Sequence, residues 1–109
     1  MQYFYDLAEI EPQKMPGRER RLVVGEQVMM LYIEREGGTE QNHTHDVEQL
    51  VYLMKGEATF TVAGETRKVK AGQVVHIPKG VPHQLDAPTP ITYIGIYSPL
   101  REEAIRADA

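Results

Sequence analysis

Residues 37–56 read GGTEQNHTHDVEQLVYLMKG, and residues 72–83 read GQVVHIPKGVPH. These two stretches hold all four histidines of the chain. His43 and His45 stand two apart, so on an extended strand both rings leave the same face with Cα atoms roughly 7 Å apart, close enough to share one ion. Gln49 has the same parity as His45 if that strand runs on regularly, and Glu48 then faces the other way. A bulge at the strand entrance would exchange the two. His83 follows the stiff Pro78-Lys79-Gly80-Val81-Pro82 turn and joins the first group only if its strand runs alongside. His76, between Val75 and Ile77, has no partner in this spacing and reads as a structural or solvent-facing residue.

Short apolar runs broken by glycine and proline extend to either side, the pattern of an all-β domain. Strands are predicted over Tyr3 to Leu7, Arg21 to Val24, Gln27 to Glu34, Gln49 to Lys55, Glu57 to Val62, Thr66 to Lys70, Val74 to Ile77, Gln84 to Leu85 and Ile91 to Tyr97. So many strands in so short a chain imply a sandwich or barrel. Along Glu57 to Val62 the residues alternate in polarity, which predicts one wet face. Val28 to Ile33 and Leu50 to Met54 are apolar at both parities, which predicts strands covered on both faces or lining a cavity. Met29, Met30 and Met54 are candidates for that lining or for core filling. The tail LREEAIRA predicts one short helix, with Ser98 as its cap and Pro99 at its first position.

The chain has 109 residues, 16 acidic against 12 basic side chains, and no cysteine. This length supports one hydrophobic core, so residues 1–109 read as a single domain. Without thiols, disulfide scaffolds, thiolate zinc and iron–sulfur clusters are excluded, and any metal must bind through nitrogen and oxygen. A net charge of −4 argues against nucleic acid as a partner. Arg18, Arg20 and Arg21, interrupted by Glu19, read as a solvated strand entrance. The longest apolar run, Val28 to Ile33, is six residues, far below the roughly 18 that cross a bilayer, so no membrane association is expected. The opening residues carry acids and no apolar stretch, so a cytoplasmic protein is expected.

Gly37, His43, His45, Gln49 and Gly56, with five, one, three and six residues between them, resemble the first cupin motif, with glutamine where glutamate is usual. Gly72, Pro78, Gly80 and His83, with five, one and two residues between them, resemble the second, and 15 residues separate Gly56 from Gly72. The resemblance implies a double-stranded β-helix, the cupin jelly-roll barrel. It also implies a divalent transition metal, iron, manganese, nickel, cobalt or zinc, held by His43, His45, His83 and Gln49. Taking Glu48 as the motif residue would put Lys55 where the glycine belongs.

The ending Tyr97-Ser98-Pro99-Leu100-Arg101-Glu102 is similar to the tail of small cupins that promote ring opening of unsaturated uronates. By that resemblance Tyr97 and Arg101 serve the pocket as catalytic residues. The acid those proteins carry two positions before the aromatic is replaced by Gly95. The implied function is a metal-dependent isomerase or lyase acting on a small oxygenated molecule such as a sugar acid. A quercetinase-like dioxygenase and a non-catalytic cupin that binds a small ligand are the alternatives. A single barrel with open sheet edges is expected to form a homodimer, and Tyr3-Phe4-Tyr5 either docks across to the partner or packs on its own barrel.

Overall fold

The structure, a computed structural model, describes residues 1–106. Ten strands follow a turn of 3-10 helix at Leu7–Glu9: β1 (Gln13–Met15), β2 (Arg18–Val24), β3 (Met29–Arg35), β4 (Gly38–His43), β5 (Glu48–Lys55), β6 (Glu57–Val62), β7 (Glu65–Lys70), β8 (Val74–Ile77), β9 (His83–Ala87) and β10 (Ile91–Ser98). A helix, α1 (Glu102–Ile105), closes the described chain. The strands form a six-stranded sheet in the order β1-β2-β3-β10-β5-β8 and a four-stranded sheet in the order β4-β9-β6-β7. Every pairing is antiparallel, and the two sheets make the expected jelly roll.

Period-2 alternation builds the core. Met29, Leu31 and Ile33 of β3 point inward with Val51 and Leu53 of β5, and Ala58, Phe60, Val69 and Leu85 come from the second sheet. Each of these side chains larger than alanine contributes about 1.5–3 kcal/mol when removed from water. Gly56 joins β5 to β6 at φ +87°, where a Cβ would lie 2.8 Å from both the Pro90 carbonyl oxygen and Ile91 Cγ2. Only glycine fits that corner.

Several expectations are corrected. Tyr3 to Leu7 is not a strand, and Tyr3 and Phe4 stand exposed beside the 3-10 turn. Strands β1 and β4 were not anticipated. β4, GTEQNH, has no apolar residue to betray it because its inner face lines a polar pocket. β5 is not covered on both sides: Leu50, Tyr52 and Met54 face outward and are exposed. Val28 is exposed too, with Met30 and Tyr32 half-buried on the outer side of β3. Met29 is core, and neither Met30 nor Met54 lines the cavity by the histidines. The predicted helix shrinks to four residues with Arg101 at its N-cap, because Ser98 ends β10 and its hydroxyl donates to the Gln27 carbonyl at 2.8 Å. Ala107, the last residue of the predicted helix, lies outside the described residues. Among the described residues no helix is long and apolar enough to cross a membrane.

Candidate metal centre

The three histidines meet because of strand register. His43, the last residue of β4, pairs directly with His83, the first of β9. His45 lies beyond the end of β4, so the two histidines do not share one extended strand, yet its ring turns back to 4.7 Å from that of His43 and 5.1 Å from that of His83. The ring centroids of His43 and His83 are 4.2 Å apart. One nitrogen from each ring falls in a group whose members all lie within 4.8 Å of one another, and these three residues could hold a metal ion.

Hydrogen bonds fix which nitrogens are free. His43 Nδ1–H donates to the Gln41 carbonyl at 2.7 Å, and His83 Nδ1–H to the Val81 carbonyl at 3.0 Å. With Nδ1 committed as a donor in each ring, Nε2 is the nitrogen left to face a metal. The Nε2 atoms of His43 and His45 are 3.1 Å apart. Two nitrogens each about 2.1 Å from one ion, at about 95° to each other, are separated by about this much. Burial, aided by Arg101, His43 and His83, lowers the His45 pKa to about 4. Burial lowers that of His83 as well. Both imidazoles are neutral at pH 7.

Gln49 and Glu48 separate by parity. Gln49 points inward from β5 and is 6% exposed. Its Nε2 donates to the Tyr97 hydroxyl at 3.0 Å, and its Oε1 is buried with no hydrogen-bond partner among the described residues. An unmet buried acceptor costs about 1–3 kcal/mol, and a cation beside the three imidazoles would meet it. The donor set fits a divalent transition metal. Glu48 faces outward, 2.7 Å from His76 Nε2, which accounts for both residues away from the cavity.

The cavity has a volume of about 320 Å³. Tyr97 lies across its floor, 2% exposed, with the Arg101 guanidinium 5.3 Å from the ring centre. The ring folds back over Gly95, so a Cβ there would sit 2.8 Å from the Tyr97 oxygen. The glycine at the position of the missing acid is thus what lets the phenol reach Gln49. Burial raises the Tyr97 pKa, and the phenol keeps its proton.

Sequence reasoning missed three polar residues here. Glu40 Oε2 accepts from Arg35 at 2.8 Å and from Arg18 at 3.2 Å, while Oε1 lies 3.5 Å from His43 Nε2. Burial alone would raise the Glu40 pKa, but Arg35, His43 and Arg18 together hold it below the usual carboxylate value. Arg18 and Arg20, expected to be solvated, both line the cavity, and Arg20 is 4% exposed. Their i, i+2 spacing on one strand face was the available signal. A larger groove of about 720 Å³, between β7 and β8, touches none of the three clustered histidines.

Residues 30–97 match the cupin domain family Cupin_2, more than half of the chain. The chain belongs to the cupin family. An uncharacterized protein of Streptomyces coelicolor is 36% identical to this cupin over 67 residues, 62% of the chain. The match spans 59% of that relative's length. Among solved structures, an RmlC-like cupin from Shewanella frigidimarina superposes with a TM-score of 0.88 at 25% identity, covering 95% of this cupin and 96% of the other chain. KdgF from a Halomonas species superposes with a TM-score of 0.87 at 23% identity, covering 95% and 99%. At that identity the second likeness speaks for the fold alone.

Proposed function

We propose that this cupin is a metal-dependent isomerase or lyase acting on a small oxygenated molecule such as a sugar acid. The observation that carries the reading is the cluster of three imidazoles, two of which, His43 and His45, line one cavity with Gln49 and its unsatisfied Oε1. His43, His45, His83 and Gln49 hold the ion, one divalent transition metal per chain, from the set iron, manganese, nickel, cobalt and zinc. When bound, such an ion polarises a carbonyl or hydroxyl oxygen and stabilises the negative charge that proton removal leaves behind. Gln49 is neutral, so the ion keeps its full charge where a glutamate would cancel one unit.

The remaining work falls to the chain's own groups. Tyr97 accepts a hydrogen bond from Gln49, which leaves its own proton directed at a ligand oxygen in the cavity. Arg101 stacks on the Tyr97 ring and presents its charge at the rim. Glu40, held by Arg35 and Arg18, adds a fixed carboxylate to the cavity lining. The test is a screen of metal-loaded protein with unsaturated uronates, followed by absorbance, with Tyr97→Phe and Gln49→Ala beside the wild type. The reading expects turnover that falls at least tenfold in both variants. Oxygen consumption in place of isomerisation would favour a dioxygenase, and tight binding without turnover a non-catalytic cupin.

We also propose that the chain forms a homodimer through the outer face of its six-stranded sheet. Leu50, Tyr52 and Ile96 lie there on the neighbouring strands β5 and β10, each about 40% exposed. Half-exposed apolar side chains on adjacent strands suit a self-complementary partner.

A further inference from the structure

Arg20 is the buried charge that neither the fold nor the proposed reaction explains. It is 4% exposed, and its Nε donates to Gln13 Oε1 at 2.7 Å. Among the described residues no carboxylate pairs with it. The neighbouring arginines are differently placed. Arg18 shares Glu40 with Arg35, and Arg101 pairs with Glu103 at 2.9 Å. The cavity wall therefore carries three guanidinium groups, Arg18, Arg20 and Arg101, against one carboxylate, Glu40. A buried cation is stable when an anion and hydrogen-bond acceptors meet it, and here the protein supplies one neutral amide.

The geometry points to an anion subsite at Arg20, built for the carboxylate of a small ligand whose other oxygens face the histidine cluster. Gln13 takes the Nε side of the guanidinium, which leaves the two terminal nitrogens as a fork. A fork of two N–H donors matches the two oxygens of one carboxylate. The hydrogen bond to Gln13 fixes the fork's direction before ligand arrives, so little side-chain freedom is lost on binding. Tyr93 and Tyr97 also line the cavity and offer neutral walls to the body of the ligand. This inference rests on the proposed function and narrows it: the oxygenated molecule is an acid, and its charge is read at β2, away from the histidines.

The test is a calorimetric titration of metal-loaded protein with D-galacturonate, D-galactose and inorganic phosphate, with metal content measured on the same samples. Galacturonate is expected to bind at least tenfold more tightly than galactose. Arg20→Gln is expected to lower galacturonate affinity by about ten- to hundredfold, the worth of a charge-assisted pair, while metal content stays unchanged. Arg20→Lys, which keeps the charge and loses the fork, is expected to fall between the two and serves alone should Arg20→Gln fail to fold. Equal binding of galacturonate and galactose, unchanged affinity in the Arg20 variants, tighter binding of phosphate than of galacturonate, or no binding of any probe would overturn the subsite. Arg20-dependent galacturonate binding by a protein that retains no metal would support the subsite and sink the metal reading. Full metal content with no preference for the charged sugar would do the reverse.

Discussion

Acidifying the metal-free protein is expected to destabilise it through His45. The folded chain holds that imidazole at a pKa of about 4, chiefly through burial, against 6.5 for the free side chain. Between those values the unfolded chain binds a proton that the folded chain refuses, so acid favours unfolding. The stabilising contribution is complete above the unfolded value, is lost as pH falls, and is gone at the folded value. Integrated from about pH 7 to about pH 5, this displacement amounts to at most about 2 kcal/mol. The side chain is 11% exposed, so solvent screening removes only part of it. His83 is displaced in the same direction. Urea unfolding of metal-free wild type and His45→Gln at a series of pH values measures the term. The variant should lose distinctly less stability than wild type over this interval. Equal losses in the two proteins would refute the reasoning.

Other expectations are simpler. Gly95→Ala puts a methyl group 2.8 Å from the Tyr97 oxygen, and because that ring is fully buried the variant should lose about 1–3 kcal/mol, read by thermal or urea unfolding. Gly56→Ala combines the +87° φ with contacts at 2.8 Å to Pro90 and Ile91 and should cost roughly 2–3 kcal/mol in the same assay. In sedimentation equilibrium the wild type should have twice the chain mass of 12.4 kDa, and Leu50→Glu should sediment as the single chain. A wild type that sediments as one chain would rule out the sheet face as an interface.

Much of the site could be read because a strand has a period of two. Parity counted from His45 and the motif glycine at Gly56 both favoured Gln49 over Glu48. The strand is interrupted between His45 and Glu48, but the alternation within β5 itself turns Gln49 to the cavity and Glu48 to His76. What parity does not reach is pairing between distant strands. The register that sets His43 opposite His83 joins residues forty apart, and nothing local to either announces it. Strand β4 escaped notice for a related reason: it is polar on both faces, and hydrophobic alternation is the signal by which strands are read. The same habit hid Arg20. An arginine among charged neighbours reads as solvated, and its i, i+2 spacing from Arg18 says only that the two share a face; the fold shows that β2 turns that face inward. The outer residues of β3 and β5 misled in the opposite sense. Their apolar character suggested cover from within the chain, whereas in the single chain they face outward.

The proposed centre is a cluster of three imidazoles with the Gln49 amide oxygen as a fourth donor to a single ion. Metal content after loading and dialysis tests this most directly. The expected result is one divalent transition metal per chain in the wild type, lost in His45→Ala and in His83→Ala while both remain folded. Wild-type protein that retains no metal, or alanine variants that retain as much as the wild type, would contradict it.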